Sequence, residues 1–91
     1  MYLTNKKGEQ LFMVTKSDSN DIVPFARVMT WEKAVEFVSY FNKDINDDKH
    51  YRKVIQYKHR EHYIELTYMQ NDKGWGSDYM VKIIVNVVFE D

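Results

Sequence analysis

Residues 79–89 read YMVKIIVNVVF, and Val81, Ile83, Val85, Val87 and Phe89 recur there at every second position. Because successive side chains of a strand point to opposite faces, this spacing predicts a β-strand with one continuous apolar face. Lys82 and Asn86 interrupt the run, which argues against a membrane span.

Working outward from this strand, residues 62–70 place Ile64, Leu66 and Tyr68 on one face, and residues 51–58 place Tyr51, Ile55 and Tyr57 on one face. Setting Tyr57 opposite His62 brings Ile55 to Ile64 and Lys53 to Leu66. Across the loop 71–78, Tyr68 then meets Val81, Leu66 meets Ile83, and Ile64 meets Val85. An odd-length loop would turn one strand inside out, so the concordance of these pairings supports an antiparallel meander. Its other face carries Val54, Tyr63, Met69, Met80, Ile84 and Val88 among Arg52, Lys58, Arg60, Lys82, Glu61 and Glu65.

Upstream, Thr30 is a favourable N-cap, and Trp31, Ala34, Val35, Val38, Phe41 and Ile45 follow at helical spacing. Glu32, Lys33, Glu36, Ser39 and Lys43 fall on the opposite side, which predicts a helix over 30–45 with one wet face. Residues 10–16 and 23–29 are short apolar runs separated by the polar cluster 17–22, the pattern of a β-hairpin. Pro24 lacks a backbone donor and restricts the second run to a strand start or an edge. Asn5-Lys6-Lys7-Gly8 suits a turn that folds residues 2–4 back onto the first strand. The expectation is a single α+β domain over residues 1–91, ordered ββαβββ, with one helix packed on a mainly antiparallel sheet.

Ninety-one residues suffice for one domain. The apolar share of 44% supports a core, though a thin one at this size. With no Cys there is no thiolate ligand, thiol nucleophile or disulfide, which together with the absence of an export or membrane pattern predicts a cytoplasmic protein. Phe, Tyr, Met, Ile, Asn and Lys total 39 residues whereas Gly, Ala, Arg and Pro total 9, a bias expected of an AT-rich coding sequence, such as that of a low-GC bacterium or of a phage or plasmid living in one.

No catalytic constellation is legible. Ser17, Ser19 and Ser77 lie in predicted turns, no Gly-x-Ser-x-Gly elbow occurs, and Gly74-x-Gly76 opens no helix that could receive a phosphate. Asp44, Asp47 and Asp48 read as a solvated cluster at the helix end. His59 and His62 would converge on a metal from a helix, but here they straddle a strand and its turn, so neither a metal nor another cofactor is expected.

Net charge is −1, yet residues 49–70 carry five Lys or Arg against two acidic residues. Subtraction leaves a non-enzymatic binding protein, such as a small phage or mobile-element inhibitor that docks on a host enzyme. The candidate contact residues are Tyr63, Trp75, Arg52, Lys58, Arg60 and Lys82, because Tyr, Trp and Arg dominate interface energetics. Two alternatives share these residues: a nucleic-acid-binding module using the basic segment 49–62, and a homodimer or larger homo-oligomer that buries the outer sheet face.

Overall fold

The computed structural model describes residues 1–19, 25–72 and 77–89. In chain order the elements are β1 (Leu11–Asp18), β2 (Phe25–Thr30), α1 (Trp31–Phe41), β3 (Ile45–Asn46), β4 (His50–Arg60), β5 (Tyr63–Asp72) and β6 (Tyr79–Val87). The strands form one antiparallel sheet of order β2-β1-β6-β5-β4-β3, with α1 on one face. The expected α+β class and ββαβββ order hold, with a two-residue strand added after the helix.

The β5–β6 register is the one read from the sequence: Tyr68 pairs with Val81, Leu66 with Ile83 and Ile64 with Val85. All six side chains are buried and join Phe12, Val14, Ala34 and Val38 in the core. β1 closes the sheet against β6, with Val14 opposite Val85. The predicted hairpin forms as well, Phe12 pairing with Met29 and Val14 with Arg27. Pro24 and residue 23, where the second strand was expected to start, lie outside the described residues.

The N-terminal turn also forms. Gly8 N–H donates to the Asn5 carbonyl at 3.0 Å, and Gly8 adopts φ +83°, a conformation that costs glycine little. Asn5 Oδ1 accepts from Lys7 and Glu9 N–H, and the returning segment bridges Thr4 to Gln10 and Tyr2 to Phe89. It therefore wedges between the ends of β1 and β6.

Four expectations are corrected. The helix ends at Phe41, not at residue 45, where Asn42 N–H donates to the Val38 carbonyl at 3.0 Å as the C-cap. Ile45 leaves the helical pattern because it starts β3 and pairs with Arg52 of β4. The β4–β5 turn is tighter than proposed: Arg60 pairs with Tyr63 and Tyr57 with Leu66, leaving only Glu61 and His62 between the strands.

The third correction is a bulge between Val54 and Gln56, which leaves Ile55 out of the pairing and 53% exposed. One extra residue reverses the sidedness of the strand on one flank. Tyr57 and His59 stay in register with the core-facing Leu66 and Ile64, but before the bulge it is Val54 and Arg52 that pair with Tyr68 and Gln70. Ile55 consequently does not share the face of Ile64 and Val85. Phe89, expected on the core face, is 62% exposed and stacks on Tyr2 at 4.9 Å between ring centroids.

Candidate interaction surface

The face of the sheet away from α1 follows from the register. On β4 it carries Lys53, Lys58 and Arg60, on β5 Tyr63, Glu65 and Met69, and on β6 Met80, Lys82 and Ile84. β1 and β2 extend it with Leu11, Met13 and Val28. The surface is thus basic over β4–β5 and apolar over β6–β1–β2.

At the basic end, Arg60 pairs with Tyr63 and Lys58 with Glu65, so three strands bring Tyr63, Lys58, Arg60 and Lys82 together. Tyr63 OH donates to Glu65 Oε2 at 2.7 Å, and Lys82 Nζ lies 3.6 Å from Glu65 Oε1. The hydrogen bond from Tyr63 holds the Glu65 carboxyl below its ordinary value, with Lys82 and Lys58 acting in the same direction against desolvation. The same hydrogen bond, with burial and the carboxylate charge, raises the Tyr63 phenol. Glu65 is therefore an ionised anchor that orients both Tyr63 and Lys82 within a basic patch.

Arg52 does not belong to this group. The bulge turns it to the helix side, where its guanidinium lies 5.2 Å from the Phe41 ring centroid, 5.3 Å from Tyr68 and 5.9 Å from Tyr40. The guanidinium is held there by ring faces, and Nη1 donates to the Tyr40 carbonyl at 3.4 Å. Lys53 occupies the outer-face position instead, opposite Met69. Trp75 lies outside the described residues.

A second grouping escaped the sequence reading. Trp31, the first residue of α1, lies 4.9 Å from Phe12, 5.7 Å from His59 and 6.4 Å from His62, measured between ring centroids. Tyr57 OH and His59 Nδ1 are 2.9 Å apart, a hydrogen bond whose donor depends on the imidazole tautomer. The two histidines thus meet around Trp31 on the helix side, across a turn in which His62 holds φ +64°. Only the hint of a spacing of three was present in the sequence; the tight turn and the helix start supply the rest. Among the described residues no three His, Asp or Glu side chains converge as metal ligands.

No helix of the described residues is long and apolar enough to cross a membrane. Comparison with known protein families finds no matching family model, and searches among curated proteins and solved structures find no significant match.

Proposed function

We propose that this protein works without catalysis, by docking the outer face of its sheet on an acidic surface of another protein. One observation carries the reading: at the described strand positions of that face Lys53, Lys58, Arg60 and Lys82 stand against one carboxylate, Glu65, and adjoin an apolar strip that includes Met69, Met80, Ile84 and Met13. A basic rim beside exposed apolar area is the composition of a protein-binding patch, in which the charges steer encounter and the apolar groups hold the complex. Occupying the surface of an enzyme in this way would be enough to inhibit it.

A nucleic-acid ligand is less well served. Tyr63, the aromatic residue amid the basic side chains, has its phenol committed to Glu65, whose charge opposes a phosphate. Trp75 remains a proposed contact.

The test is affinity capture from a lysate of the source organism with wild-type protein and with Lys58→Glu, Arg60→Glu, Lys82→Glu combined. Wild type should enrich a protein that the triple variant does not, with binding that weakens as salt rises. Equal capture by both proteins would refute the surface assignment, and a nuclease-sensitive ligand would shift the function to nucleic acid.

A further inference from the structure

The sheet has two edges, and among the described residues only one of them is protected. At the β4 edge, β3 covers Tyr51 and Arg52, the Asp44 carboxylate accepts the Val54 N–H at 2.8 Å, a bulge follows, and Lys53, Lys58 and Arg60 line the strand. These are the devices by which folded proteins prevent edge-to-edge pairing. β2, at the other edge, shows no covering strand, capping carboxylate or bulge among the described residues: it is six residues, FARVMT, in unbroken register with β1, and Arg27 is its one charged side chain.

The free backbone groups of β2 can be placed. Leu11 N–H donates to the Leu3 carbonyl, on the β6 side of β1. Alternation then sends the N–H and C=O of Phe12, Val14 and Lys16 toward β2, where their partners are Met29, Arg27 and Phe25. The N–H and C=O groups of Ala26 and Val28 therefore point away from β1, to the open edge. Among the described residues no segment pairs with them.

The side chains flanking this edge are apolar on the outer face and mixed on the helix side, where Arg27 stands between Phe25 and Met29. Val28 is 41% exposed on the outer face beside Met13. On the helix side a shallow groove runs along the same edge, lined by Met29, Lys33, Glu36, Phe37 and Tyr40.

We infer that the protein forms a two-fold dimer by antiparallel pairing of β2 with β2 of a second copy, centred on Val28. In this register Val28 exchanges N–H and C=O with the second Val28, and Arg27 faces Met29. Centring one residue earlier would oppose Arg27 to its own copy, a like-charge contact that disfavours the alternative. The two helices then run antiparallel beside the junction, so Lys33 of one copy faces Glu36 of the other and the apolar groove walls meet. The pairing joins two six-stranded sheets into one and removes the free edge. It leaves the basic surface over β4–β5 open in both copies, so it stands independently of the docking reading above.

The absence of cysteine provides a clean test. Val28→Cys places two thiols on the two-fold axis, at the Cα separation of a directly opposed strand pair, which a disulfide can span. Under mild oxidation this variant should convert to covalent dimer rapidly, whereas Gln56→Cys on the β4 edge should remain monomeric. Wild type should sediment as a dimer. Val28→Pro, which removes the outward N–H at an edge position, and Val28→Lys, which sets two charges on the axis, should each give folded monomers; the lysine variant serves if the proline one fails to fold. Combined reversal of Lys58, Arg60 and Lys82 should leave the dimer intact. A monomeric wild type, a dimer that survives Val28→Lys, or cross-linking of Gln56→Cys as fast as Val28→Cys would each overturn the assignment.

Discussion

Tyr68 sits fully buried at the centre of β5, and its hydroxyl finds no hydrogen-bond partner among the described residues. Burial pushes its phenol up to about 12, against the opposing pull of the Arg52 guanidinium. The fold thus favours the neutral phenol, so this contribution to stability is complete below the ordinary phenol value of 10.0 and is lost as the pH rises from there through about 12. Tyr68→Phe removes a buried donor that gains no partner, and should raise stability by about 1 kcal/mol at pH 8 in denaturant unfolding. The gap between variant and wild type should widen between pH 10 and pH 12. A destabilised phenylalanine variant would reveal a partner for the hydroxyl. His62, at φ +64°, holds a conformation in which a β-carbon is strained. Since both replacements lose the imidazole contacts with Phe12 and Trp31, His62→Gly should be more stable than His62→Ala by about 1 kcal/mol, measured by thermal or denaturant unfolding.

The central pair β5–β6 is the element whose side chains were most fully legible in the sequence, because Ile64, Leu66, Ile83 and Val85 lie on one face with no exposed position among them. Leu66→Ala should cost about 3 kcal/mol and Val85→Ala somewhat less, through lost burial and the cavity left behind. β4 was legible only in part. Its alternation read correctly from Tyr57 to the turn, but the bulge at Ile55 reversed the remainder and exchanged Arg52 for Lys53 on the outer face. A bulge leaves no fixed residue signature in a strand of mixed polarity. Here it is accompanied by the Asp44 carboxylate on the Val54 N–H, a contact ten residues distant in the chain. Asp44→Ala should destabilise the fold by about 1 kcal/mol and increase aggregation on mild heating, since it uncovers a donor on the β4 edge. Unchanged stability and solubility would show that the cap plays neither part.

For the whole molecule, a net charge of −1 conceals the separation of charge that matters for binding. Register, more than composition, gathers Lys53, Lys58, Arg60 and Lys82 on one face, while the apolar strip runs toward the β2 edge. Reversing Lys58, Arg60 and Lys82 together should change the melting temperature by only a few degrees, because they lie at the surface where a single charge contributes little. It should nevertheless abolish capture of an acidic partner, with the remaining affinity nearly independent of salt. A large loss of stability in this variant would mean that the patch serves folding more than docking.

Period-two alternation in residues 62–70 and 79–89 and period-3.6 spacing from Trp31 to Phe41 were enough to determine the element types, the β5–β6 register and the α+β class. Each signal is local, and burial of one face reinforces it at every step. The capped turn at Asn5–Gly8 was legible for the same reason, since its hydrogen bonds span no more than four residues. Strand order, the insertion of β1 between β2 and β6, the place of Arg52 over Phe41 and Tyr68, and the meeting of His59 and His62 at Trp31 were decided by tertiary structure alone. These rest on contacts between segments far apart in the chain, where one unpaired residue in β4 is enough to send a guanidinium to the opposite face of the sheet.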